Sequence, residues 1–122
     1  MKNAIKIAGV LGWLLLLAGC GTVRPNPDWR IVLYDGENFT GKQCVIESKD
    51  VPNLSDWQYN DMTTSLIVYK GNWTLYEHNG YQGLAWQVSD KGGPTGNGKY
   101  PTFKEWNGAN NAISSVRRGF YP

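Results

Sequence analysis

The stretch "YDGENFTG", Tyr34 to Gly41, returns 42 residues later as "YEHNGYQG", Tyr76 to Gly83. Each copy reads aromatic, four free positions, aromatic, one free position, glycine. The Asn, Asp and Gly residues inside it favour turns, because they tolerate left-handed backbone or bond back to it. The flanks are rich in branched and aromatic residues, which favour strands. Each copy therefore predicts a folded hairpin whose two aromatics stack across the bend, an arrangement that adds about 0.5–1.5 kcal/mol beyond area burial. Gly41 and Gly83 are expected at positive φ, or where a ring lies against the backbone.

The repeat extends outward on both sides. "IVLYDGENFTGKQCVIES" (Ile31 to Ser48) aligns on "WTLYEHNGYQGLAWQVSD" (Trp73 to Asp90), with Leu33 over Leu75 and Ile46 over Val88. Each unit closes with a hexapeptide, "NDMTTS" (Asn60 to Ser65) or "NNAISS" (Asn110 to Ser115), and an apolar strand follows, Leu66 to Tyr69 or Val116 to Arg118. The second unit is longer by eight residues, which "KGGPTGNG" (Lys91 to Gly98) supplies as a turn-rich insertion. It lacks the Gly-Lys-Ser/Thr ending of a phosphate loop. No long segment beyond Trp29 shows the apolar spacing of a helix, so the expectation is an all-β domain over 29–119. Its two Greek-key units, about 29–70 and 71–119, would have four strands each and form one β-sandwich.

These paired signatures resemble those of the βγ-crystallin family, whose Greek keys carry the aromatic-glycine pattern and whose calcium motif the two hexapeptides match at every specified position. "KYPTFKEW" (Lys99 to Trp106) is similar to the stretch before the last strand of such domains. Calcium takes six to eight hard oxygens and accepts carbonyls, amides and hydroxyls beside carboxylates. Asp61, Asn111, Thr64 and Ser114 offer side-chain oxygens of that kind. The resemblance implies two sites that cross between the units. One would use the carbonyls of Asp35 and Met62 with the side chains of Thr64 and Asn111. The other would use the carbonyls of Glu77 and Ala112 with the side chains of Ser114 and Asp61. Asn60, Ser65, Asn110 and Ser115 complete the motif around them. An alternative for the same residues is plain turn capping, which Asn, Asp, Ser and Thr perform without a metal. The resemblance implies a calcium affinity of about 10⁻⁶ to 10⁻³ M.

The chain opens "MKNAIKIAGVLGWLLLLAGC", with Lys2 and Lys6 ahead of an apolar run of 11 residues from Ile7 to Leu17. That run is short of the roughly 20 residues a spanning helix needs and reads as an export signal, residues 1–19. "LAGC" (Leu17 to Cys20) resembles the lipobox of bacterial lipoproteins, which implies a cut before Cys20 and a lipid on it. Residues 20–28, with two prolines and no periodicity, read as anchor and tether. Gly21 is not the Asp associated with inner-membrane retention, so the outer membrane is expected for a Gram-negative source. With Cys20 on a lipid, Cys44 is expected to have no partner in the chain.

Lys2 and Lys6 leave with the signal, so of 12 basic residues ten remain against ten acidic ones. That balance, with "RR" at Arg117 and Arg118 as the only adjacent basic pair, excludes a phosphate-binding surface and argues against a nucleic-acid partner. Catalysis is not expected either. Cys44 shares a strand face with Ile46 and reads as a small core residue, and His78, the single histidine, stands in a hairpin tip. Trp29, Trp57, Trp73, Trp86 and Trp106 leave room for an envelope glycan or a protein partner, inhibitor or toxin target included, if one or two indoles are exposed. Trp86 and Trp106 are expected in the core.

Overall fold

The computed structural model describes residues 27–121, so the leader and Cys20 lie outside the described residues. Seven strands form: β1 (Arg30–Gly36), β2 (Thr40–Glu47), β3 (Ser65–Lys70), β4 (Asn72–His78), β5 (Gln82–Ser89), β6 (Lys99–Tyr100) and β7 (Ser115–Arg118). They make two antiparallel sheets, one ordered β2-β1-β3-β6 and the other β5-β4-β7. The offset of the sequence repeat reappears as register. Leu33 pairs with Cys44 in the first hairpin and Leu75 with Trp86 in the second.

The two units are not confined to separate sheets. β6, from the second unit, pairs with β3 at the edge of the first sheet. Val51, from the first unit, bridges Val116 of β7 in the second, and each of the two accepts from the other's N–H. Strand alternation then sends Ile31, Leu33, Cys44, Ile46, Leu66 and Val68 inward from one sheet and Trp73, Leu75, Val88 and Val116 from the other. Fully burying one such side chain contributes about 1.5–3 kcal/mol. Tyr59 lies beneath the first sheet with no exposed surface, and its hydroxyl donates to the carbonyls of Leu33 and Lys42. Burial pushes that phenol far above its ordinary pKa.

The all-β expectation holds, with single 3₁₀ turns at Leu54–Trp57 and Phe103–Trp106 beside the strands. Four residues are too few to show a 3.6-residue period, but their caps are local: the Asn53 side chain accepts from Ser55 N–H and that of Thr102 from Lys104 N–H. Trp73, not Trp86, is the fully buried indole. It stands on the central strand β4, edge-on to Trp29, and donates Nε1–H to Lys70, whereas Trp86 on the edge strand is only half-buried. Cys44 is in the core as expected but takes part in a disulfide.

Candidate metal centre

Both turn stretches fold as their repeat predicts. Tyr34 meets Phe39 edge-on at 5.9 Å between ring centroids, and Tyr76 meets Tyr81 at 5.6 Å. Gly41 and Gly83 have φ of 81° and 83°. A Cβ on Gly41 would strike the Asp35 carboxylate, and one on Gly83 would strike His78 and Glu77. At Gly41 the close neighbour is thus the side chain just after the first aromatic, whereas at Gly83 the imidazole ring of His78 comes closer than Glu77. The register slips between Tyr34 and Gly36 and again between Tyr76 and His78. Asp35 and Glu77 therefore sit at matched bulges, where main-chain groups leave the regular ladder.

Each hexapeptide docks against its own hairpin. Thr64 N–H donates to the Tyr34 carbonyl and Ser114 N–H to the Tyr76 carbonyl. The sixth residue fastens the turn: Ser65 Oγ donates to Gly36 and accepts from Phe39 N–H, while Ser115 Oγ donates to His78 and accepts from Tyr81 N–H. Ser65 and Ser115 are fully buried, so they work as structural ties. Asp61 and Asn111 share φ of 55°, the left-handed conformation that Asx residues tolerate.

The hexapeptides also meet each other. Ser114 Oγ lies 3.1 Å from Asp61 Oδ1, and Thr64 Oγ1 lies 3.0 Å from Asn111 Oδ1. Main-chain bonds set that crossing, Asp61 N–H to Ile113 and Asn111 N–H to Thr63. Each fifth-position hydroxyl is thus paired with the second-position oxygen of the opposite unit. Asp61 and Asn111 are exposed at these places, and Thr64 and Ser114 are buried beneath them. The sequence reading missed one contributor: Asn110 Oδ1 accepts from Thr64 at 2.8 Å, making the Thr64 cluster two amides and a hydroxyl. Its first-position place in the hexapeptide was the available signal. Asn60, its counterpart, is exposed in the turn.

No group of three His, Cys, Asp or Glu side chains converges among the described residues. An ion held at either crossing would therefore rest on carbonyl, amide and hydroxyl oxygens with at most one close carboxylate, a donor set that suits calcium and not zinc. Nearby, burial and then Tyr69 push the Tyr34 phenol up to about 12. Burial opposes ionisation of Asp50, yet hydrogen bonds from Arg118 N–H and Nε hold its carboxyl below the ordinary range.

The sequence pattern of the family described as Beta/Gamma crystallin matches residues 30–118, from the first residue of β1 to the last of β7. The chain belongs to the βγ-crystallin family. Human Beta-crystallin B2 is 32% identical over 93 residues, covering 76% of this chain and 42% of the human protein. This βγ-crystallin chain thus spans about two-fifths of that relative's length. A Beta/gamma-crystallin of Ciona intestinalis is 29% identical over 73% of this chain and 96% of its own. Among solved structures, the Ciona protein superposes with a TM-score of 0.66, and an archaeal βγ-crystallin with 0.63 at 31% identity, covering 76% of this chain and 99% of that one.

Proposed function

We propose that this βγ-crystallin domain binds two calcium ions, is stabilised by them, and is not catalytic. The observation that carries the reading is the reciprocal crossing of Thr64 with Asn111 and of Ser114 with Asp61, two like sets of oxygens built from opposite units. On this reading the carbonyls of Asp35 and Met62 complete the first set and those of Glu77 and Ala112 the second. A ligand that binds only the folded state stabilises it by about 2.7 kcal/mol at a hundredfold excess over Kd. Calorimetric titration with calcium, paired with thermal melting, is expected to give binding heat and a raised Tm. Neither effect, at up to about ten millimolar calcium, would return the hexapeptides to turn capping. The glycan-binding alternative draws less support, because each of the five tryptophans from Trp29 to Trp106 is buried or half-buried, leaving no exposed indole platform.

For location, we infer from "LAGC" that the domain of residues 29–119 is exported and anchored through a lipid on Cys20, in the outer membrane if the source is Gram-negative. A lipid thioether on Cys20 and a disulfide from Cys20 exclude each other, and one measurement decides between them. Mass spectrometry of the membrane fraction should find a chain beginning at Cys20 with an added diacylglyceryl mass, and Cys20→Ala should release or leave unprocessed most of the protein. A Cys20 peptide freed only by reduction would overturn the anchor.

A further inference from the structure

The four sheet edges are unequally protected. β2 carries Lys42 and Glu47, and its last four residues are buried. β6 has two residues, too few to template a partner. β7 has four, including Arg117 and Arg118, and is already bridged by Val51. β5 differs from all three. Its eight residues include no charge, Gln82, Gly83, Leu84, Ala85 and Gln87 are exposed, and Leu84 is 61% exposed. Charges, short length and covering segments are the means by which proteins blunt an edge; β5 carries no charge and is long, and other segments approach its open part only at Gln87, where the Tyr121 carbonyl accepts from the side-chain amide and the Phe103–Trp106 turn lines the hollow beside it.

Hydrogen-bond alternation shows which main-chain groups that edge offers. Gly119 N–H donates to Asn72 and Ser114 N–H to Tyr76, so the carbonyls of Asn72 and Tyr76 on β4 face β7. Trp73 and Leu75, between them, face β5 and pair with Val88 and Trp86. Ala85 and Gln87 must then turn their N–H and carbonyl groups outward. Ser89 N–H shares that direction, and it is taken up by the Tyr100 hydroxyl at 3.1 Å. The open length therefore ends at Gln87, and an added strand would lie beside Gln82–Gln87.

We propose that β5 is a self-association edge, at which two copies pair antiparallel through Gln82–Gln87 and join their three-stranded sheets across a two-fold axis. A second copy fits because an antiparallel pair of identical strands returns each donor and acceptor to its own counterpart, the isologous arrangement of a two-fold dimer. It fits also because a strand without charge meets itself without repulsion, whereas apposed β2 edges would bring like charges together.

The test places a photo-crosslinking amino acid at Leu84 of the full-length chain in the cells that make it, and at Lys42, the matching position of the first repeat, as control. Leu84 is expected to give a band at twice the mass of the chain, and Lys42 none. Ala85→Lys and Gln87→Lys each place like charges on the paired strands and should cut that band about tenfold. Gln43→Lys, the first-repeat counterpart of the former, should leave it intact. All three variants should keep a cooperative melt, since β4 uses neither outward N–H. No band from Leu84, a band of any other mass, or a doubled band that survives both β5 substitutions would overturn the proposal.

Discussion

A chain ending at Lys70 should show no cooperative unfolding, even though it contains one complete sequence repeat. Such a chain keeps β1, β2 and β3 but loses the whole second sheet, and with it Trp73, Leu75, Val88 and Val116 from the core. Ile31, Leu33, Ile46, Leu66 and Val68 would then line a face open to water. The four lost side chains, each contributing about 1.5–3 kcal/mol when buried, together match the 5–15 kcal/mol by which a typical domain is stable, before the newly exposed face of the first sheet is counted. The strand exchange deepens the loss. β3 is left without β6, Val51 without Val116, and the N–H groups of Leu54 and Asp61 without the carbonyls of Ser114 and Ile113. Far-ultraviolet circular dichroism on heating is the direct measurement. A sharp, reversible melt of the half would show that each unit is a domain of its own.

That dependence between units marks the boundary of what the sequence makes legible. The hairpins could be read because their causes are local: an aromatic pair, a glycine at positive φ and turn residues between branched runs all lie within eight positions. The crossing of the hexapeptides was suggested only by family resemblance, and in the structure Thr64 is hydrogen-bonded to Asn111 and Ser114 to Asp61. The sheet assignments of Val51 and β6 were not legible, since a single residue and a pair of residues carry no period and their partners lie far along the chain. Trp73 and Trp86 stand on the neighbouring strands β4 and β5 of one sheet, and only sheet order, central strand against edge, decides which indole is sealed.

The proposed calcium sites should be unequal, and one substitution should largely erase the difference. Their oxygen sets differ in charge at the second hexapeptide position, where Asp61 brings a carboxylate to the crossing with Ser114 and Asn111 brings an amide to the crossing with Thr64, which Asn110 also joins through a neutral amide oxygen. Ligand charge is one of the terms that tunes calcium affinity across several orders of magnitude, so the Asp61 crossing should fill first. Asp61→Asn is expected to weaken the tighter step by about tenfold or more and to leave the looser step nearly unchanged. Asn111→Asp should tighten the looser step. Both substitutions keep an Asx residue at φ of 55°, so neither strains the turn. Asn111→Asp also brings a charged carboxylate beside Thr64, whose hydroxyl already lies 2.8 Å from the amide Oδ1 of Asn110. It should therefore cost some stability without calcium and recover it with calcium, a sign reversal that turn capping alone does not produce. Titration calorimetry and melting of the wild type and both variants decide the matter. Two equal steps, or a tight step indifferent to Asp61→Asn, would mean that the second-position side chains do not reach the ion, and that the carbonyls of Glu77 and Ala112 hold it with other partners.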